Sequence, residues 1–322
     1  MPYDSNTARA DVEALIRENV SSIMLGVEDA PSAAMQLFQR IQVPTNETRF
    51  PVLSALPSAY WVDGDTGLKQ TTEAAWDNKY ITIEKLAAIV PVPDAVIEDA
   101  DFDIWGQIQP LVRTAIGRAI DAAIFFGTNA PTSFPDDIVT AATSAGNTYD
   151  RGTNAAGAGG IAEDLNQLMG LLLEDGYAPT AFVGHPAYQT RLRGARGTDG
   201  QLLTDVSNGV NNIWGLPTVY PMPGLWPVQG TTSGDPGVAE LFALQRENFI
   251  LGTRGDFEVT TSQHAILQNG SGVIQLNAFQ QDMTFYRIVF RVGWQVSNPL
   301  NYSQATESAR YPAAVMLSPD TP

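Results

Sequence analysis

Residues 103–126 carry the strongest periodicity in the chain. Ile104, Ile108, Leu111, Val112, Ala115, Ile116, Ala119, Ile120, Ala123 and Ile124 mark one helical face, and Gly127 suits the position just past a helix end. A helix of about 24 residues is about 36 Å long. That is wider than a small domain, so the remaining elements must be laid along it. Pro110 falls in the second turn, and the spacing predicts either a kink there or a start near Gln109.

Upstream, residues 48–62 are rich in strand formers (Phe50, Val52, Leu53, Tyr60, Trp61, Val62). Asp63-Gly64-Asp65-Thr66-Gly67 then reads as a turn, and a return strand runs to about Ile83. Arms of about 14 residues would span about 45 Å, beyond ordinary strand length. A two-stranded ribbon has no third layer to cover Trp61, Trp76 and Tyr80, so a neighbouring subunit is expected to supply it. Before the hairpin, residues 11–24 (Val12, Leu15, Ile16, Val20, Ile23) and 31–41 (Met35, Leu37, Phe38, Ile41) read as short amphipathic helices. Helices this short need a surface to lie on.

After the hairpin an extended segment, 86–92, leads into a short helix, 94–100, and then the long helix. Residues 128–160 read as loop. An alternation follows: helix 161–175, strand 180–183, helix 187–196 and strand 216–220. Strands are expected near 239–244, 249–251 and 258–261. Ile288, Phe290, Val292, Trp294 and Val296 then alternate with Val289, Arg291, Gly293 and Gln295 at a period of two.

Chemistry is sparse. The chain has no cysteine and two histidines, His185 and His264, neither with a partner at metal-ligand spacing. A structural role is expected for both. No Gly-x-Ser-x-Gly elbow presents a serine, and the Gly-rich tract 152–160 lacks the Lys-Ser/Thr ending of a phosphate loop, so it reads as a linker. Asp99, Asp101 and Asp103 lack the Gly and Glu of a calcium loop and read as helix caps. No catalytic, cofactor or metal residue is assigned. With 18 Lys+Arg against 35 Asp+Glu the net charge is −17, which disfavours tight sequence-independent binding of nucleic acid. No run of about 18 apolar residues exists and the first residues are polar, so no membrane association and a soluble protein are expected. Charged residues are only 16% of the chain, below the usual quarter, which fits extensive shared interfaces. Arg191, Arg193 and Arg196 form the densest basic cluster and read either as a solvated helix face or as partners for acidic residues of an adjacent subunit.

The order of elements resembles that of the major capsid protein of tailed bacteriophages, with the Hong Kong 97-type fold. Ala59-Tyr60-Trp61-Val62 with Trp76 is similar to that family's extended loop. Ile89-Val90-Pro91-Val92-Pro93 with Val96-Ile97-Glu98-Asp99-Ala100 resembles its approach to the long helix. Ala119-Ile120-Asp121-Ala122-Ala123-Ile124-Phe125-Phe126-Gly127 is similar to the end of its spine helix. Phe182-Val183-Gly184-His185-Pro186, Asp199-Gly200-Gln201-Leu202-Leu203 and Trp214-Gly215-Leu216-Pro217-Thr218-Val219 resemble its axial domain. Phe279-Gln280-Gln281-Asp282-Met283-Thr284-Phe285-Tyr286-Arg287 and Gly293-Trp294-Gln295-Val296-Ser297-Asn298-Pro299 resemble its return into the peripheral domain.

The resemblance implies an α+β fold with an N-terminal arm (1–46), an extended hairpin loop (47–84), a peripheral domain with the spine helix (85–150) and an α/β axial domain (151–262). Residues 263–322 would supply return strands of the peripheral domain and a C-terminal tail. It implies a non-enzymatic shell subunit that self-assembles as pentamers and hexamers, in the host cytoplasm, into an icosahedral virion capsid enclosing double-stranded DNA. The expected interface residues are Tyr60, Trp61, Lys69, Trp76, Arg191, Arg193 and Arg196. Only about 45 residues precede the hairpin, too few for a built-in scaffolding segment, so the resemblance implies either a chain mature as written or a separate scaffolding protein; a portal is a further implied partner, and the shell is expected to be locked non-covalently or by a separate cement protein. Some members join a hairpin lysine to an asparagine of a neighbour. Lys69 is suitably placed, but Gln281-Asp282-Met283-Thr284-Phe285 holds no asparagine and Asn277 is offset, so no such crosslink is expected. Two alternatives are an encapsulin-type compartment, which would need an inner groove for a cargo peptide, and a soluble α/β binding protein, which would need a concave polar site.

Overall fold

The computed structural model describes residues 32–62, 68–99, 104–155, 159–196, 201, 212–221 and 239–318. The expected helix at 11–24 and the hairpin turn at 63–67 lie outside them. Ser32 caps α1 (Ala33–Leu37), its hydroxyl accepting from the Met35 N–H. Phe38 leaves helical backbone and its ring stacks on Phe249 with centroids 4.9 Å apart. The helix expected to reach Ile41 therefore stops at Leu37, and β1 (Gln39–Gln42) takes its place, pairing in parallel with the later strand 249–253. β2 (Glu47–Ala55) and β3 (Ala75–Thr82) form the hairpin, in register from Glu47↔Thr82 to Ala55↔Ala75. Its ladder is shorter than the predicted arms, because residues 56–62 and 68–74 carry no strand pairing.

β4 (Glu84–Pro93) and α2 (Asp94–Asp99) lead into α3 (Ile104–Phe126), which runs through Pro110. The helix does not wait for Gln109; the proline removes the single N–H that would meet the Gly106 carbonyl. Gly127 ends it with φ 66. The region expected to be loop holds α4 (Ile138–Ala145), capped by the Asp137 carboxylate accepting from the Thr140 N–H at 3.0 Å, and β5 (Thr148–Asp150). Next come α5 (Gly160–Glu174), β6 (Ala181–Gly184), α6 (Tyr188–Arg193), β7 (Asn212–Ile213), β8 (Leu216–Val219), β9 (Ala239–Leu244), β10 (Phe249–Thr253) and β11 (Glu258–Ser262). β12 (Ile266–Gln268) pairs only with β13 (Ile274–Asn277) as a small ribbon before β14 (Met283–Val296), and β15 (Ala313–Leu317) comes last.

β14 is the axis of a five-stranded sheet. β4 runs antiparallel along one side of it, from Pro93↔Met283 to Glu84↔Val292. β10 and β11 lie end to end along the other, with β1 outside β10. The second sheet has the order β5-β15-β9-β6-β8-β7. Its faces alternate along each strand: Ala313, Val315, Phe242, Leu244, Ala181 and Val183 join the core with α3 and α4, while Ala314, Met316, Leu241, Ala243 and Phe182 join a core with α5 and α6. The strand pairing cuts across the boundaries expected from sequence. β10 and β11, inside 151–262, pair with β14; β5, inside 85–150, and β15, in the expected tail, belong to the six-stranded sheet. β15 reads as Ala-Ala-Val-Met-Leu and is buried on both faces, so it shows none of the alternation by which half-exposed strands are recognised.

Candidate assembly surface

The hairpin rests on a pair of glycines. Gly252 and Gly293 face each other between β10 and β14, and β3 crosses over them. A Cβ on Gly293 would stand 2.1 Å from the Thr82 carbonyl oxygen. Only a residue without a side chain permits that approach. Ile81, Ile83 and Val43 close a small core over the crossing. Gln295 Nε2 donates to the Tyr80 carbonyl at 3.0 Å, the Leu300 N–H to the Leu53 carbonyl at 3.0 Å, and Tyr302 Oη to the Pro57 carbonyl at 3.1 Å. Lys79 pairs with Glu307 at 2.8 Å. The base of the ribbon is thereby tied to the end of β14 and the segment after it.

Beyond that base the ribbon is bare. Trp61 is 101% exposed, Leu68 91% and Trp76 65%, with Tyr80, Tyr60 and Val62 also exposed. Tyr60 Oη donates to the Gln70 carbonyl at 2.7 Å and joins the two arms past the end of the ladder. Lys69 is exposed beside it. Of the residues predicted to lie at an interface, Tyr60, Trp61, Lys69 and Trp76 are thus brought together on one ribbon. An exposed apolar strip away from its own core suits burial by another chain.

The arginines lie elsewhere and do not act as one group. Arg191 is paired within its own chain to Glu240, whose side chain is 7% exposed and also accepts from Arg151 Nε at 2.7 Å. Arg191 thus has an acidic partner within its own subunit. Arg193 is exposed near Tyr220; burial pushes that hydroxyl up to about 12, with Arg193 opposing. Arg196 is exposed after α6. His185 Nδ1 accepts from the Ala187 N–H at 3.1 Å as the chain turns into α6, and burial with Arg191 nearby lowers its pKa. Among the described residues no cluster of three or more His, Asp or Glu could hold a metal ion.

Asp121 was not singled out from sequence. It is a buried carboxylate on the apolar face of α3, and it accepts from Ser32 Oγ at 2.6 Å, the Ala33 N–H at 2.9 Å and the Ala34 N–H at 3.1 Å. Gly117, one turn earlier, lets the Ser32 backbone lie against the helix. Burial pushes Asp121 up to about 6, against the pull of its three donors. The available signal was a lone acid between Ile120 and Ala123 on a face that should be apolar.

A model of the phage capsid family matches residues 15–301. A solved structure from Microbacterium phage Oxtober96 is 31% identical, covers 98% of this chain and 100% of its own, and superposes with a TM-score of 0.83. One from Mycobacterium phage Adephagia is 27% identical over 99% of this chain and 100% of its own, with a TM-score of 0.84. The capsid of a native GTA particle shares the fold at 16% identity and a TM-score of 0.70, over 98% of this chain and 99% of its own. No curated protein sequence matches.

Proposed function

The chain belongs to the phage capsid family and is a structural major capsid protein of a phage shell, and from that premise we propose that its hairpin ribbon joins copies of it, as pentamers and hexamers, into an icosahedral shell around double-stranded DNA. The observation that carries this is the bare ribbon, with Trp61, Leu68 and Trp76 exposed on a hairpin whose base is fixed over the glycine pair. The five-stranded sheet with α3 serves as the peripheral domain and the six-stranded sheet as the axial domain. Lys69, Arg193 and Arg196 meet neighbouring copies. A net charge of −17 keeps the wall from gripping its DNA. Assembly takes place in the host cytoplasm with a separate scaffolding protein and a portal, and a cement protein locks the shell without a covalent bond. The encapsulin reading is set aside, because the matched family and the structures above 25% identity come from phages.

Electron microscopy with light scattering on the purified protein tests the proposal. Closed shells or rings of five and six support it, and Trp61→Ala with Trp76→Ala should abolish them while leaving the folded subunit intact. A monodisperse monomer of 34.7 kDa, with or without added scaffold, overturns it. Boiling the shells in detergent should release monomers; a ladder of multimers would show that Lys69 or another group forms a crosslink.

A further inference from the structure

The two-residue turn between β7 and β8 places a tryptophan in left-handed backbone. Trp214 has φ 49 and Gly215 φ 82, between the paired residues Ile213 and Leu216. Positive φ at both central positions defines a type I′ turn, for which Asn-Gly is the preferred sequence. Asparagine tolerates that backbone and a bulky side chain does not. The other non-glycine residues with positive φ among the described ones are Asn129, Asp282 and Asn298, which fit the rule.

Trp214 therefore carries a backbone cost that an asparagine would remove, and the subunit's own core gives little reason for it. Ile213 is the residue of this turn that reaches the core, fully buried with α5 and α6. Trp214 is 38% exposed, and among the described residues a Cβ on Gly215 would meet nothing within 4 Å, so part of the indole is open to a partner. β7 is also the terminal strand of its sheet, at the edge opposite β5. Strain kept at an exposed tip points to use by a partner, and tryptophan is among the side chains most enriched at the energetic centres of protein interfaces.

We propose that Trp214 is an anchor of a second contact between copies of this chain, separate from the hairpin ribbon, with its indole seated on the neighbouring subunit. The partner is another copy because a shell subunit meets copies of itself along its edges, and the tip belongs to the strand that ends the six-stranded sheet among the described residues. The inference rests on the shell reading above.

The test is Trp214→Asn, which installs the preferred turn. The melting temperature of the isolated subunit should hold or rise by about 1–2 °C as the strain is relieved, while the concentration needed for assembly should rise at least about tenfold. Trp214→Phe, which keeps an apolar ring, should recover part of that loss. A fall of several degrees in the subunit's melting temperature would assign the indole to the subunit's own packing and overturn the proposal. Wild-type shells alongside equally ready Trp214→Asn shells would overturn it alone. A wild-type chain that never assembles would overturn the shell reading and this proposal with it.

Discussion

Gly293→Ala should destabilise the protein although strand propensity favours the change. Replacing glycine by alanine inside a strand is ordinarily worth about 0.5–1 kcal/mol in the stabilising direction. At Gly293 the new Cβ would lie 2.1 Å from the Thr82 oxygen and 2.9 Å from its carbon, more than about 1 Å inside normal packing distance. Both are backbone atoms of the crossing strand, so β3 must lift. Lifting it strains the closed core around Ile81, which is 0% exposed, and breaks the bond from Gln295 to the Tyr80 carbonyl. Overpacking of about 1–3 kcal/mol and about 1 kcal/mol for the hydrogen bond outweigh the propensity gain, for a net loss of about 2 kcal/mol. With an unfolding entropy of about 2.1 cal/mol/K per residue, the melting temperature should fall by about 3 °C. Gly252→Ala is the control. Its Cβ would meet Val43 Cγ2 at 2.9 Å and Ile81 Cγ2 at 3.0 Å, side-chain methyls at longer range than the Thr82 backbone stands from Gly293, so its loss should be smaller. Calorimetry of both variants decides the matter, and a Gly293→Ala midpoint at or above wild type, or a greater loss from Gly252→Ala, would refute the seat.

Asp121, pushed by burial up to about 6 from an ordinary 3.8, binds its proton more tightly folded than unfolded. The stability linked to it is therefore fully present below about pH 4 and lost as pH rises through about 6, a change of about 3 kcal/mol. Urea midpoints between pH 4 and 7 should show this slope in wild type and lose it in Asp121→Asn; an unchanged slope in the variant would refute the assignment. Glu240→Ala should cost about 3 kcal/mol, because it leaves two arginines facing a site built for a carboxylate. Arg191→Ala, whose side chain is 40% exposed, should cost less than about 1 kcal/mol. Denaturant unfolding that ranked the two the other way would refute the ranking by burial, and an Arg191→Ala chain that is stable but unable to assemble would place Arg191 at the subunit interface.

The elements legible from sequence are those whose burial is one-sided. α3 shows an apolar stripe, with Val112, Ile116, Ile120, Ala123 and Ile124 inside although Leu111 and Ala115 are exposed, and the second half of β14 alternates, with Ile288, Phe290, Val292, Trp294 and Val296 inside. β9 agrees at both ends with the expected 239–244. β15 and α4 were missed for opposite reasons. β15 is buried on both faces and has no period, while α4 is a single short run of small and β-branched residues whose start is marked only by Asp137. The fate of Phe38 depended on Phe249, far along the chain, which no local window contains. On the assembly surface the ribbon's aromatics were legible because they lacked a layer to cover them. Its seat was not, because Gly252 and Gly293 matter only once β3 lies across them. The pairing of Arg191 with Glu240 was not legible, since charge spacing on a helix does not reveal a buried acid opposite it.

The position of β15 has a consequence for synthesis. It is the last strand described, yet it sits between β5 and β9 in the interior of the six-stranded sheet, with Val315 beside both Thr148 and Phe242. Until the ribosome has made that strand, β5 has no neighbour on that side and β9 has an open edge. The sheet cannot close from the front of the chain onward. A nascent or prematurely ended chain thus lacks the strand that joins β5 to the rest of the sheet.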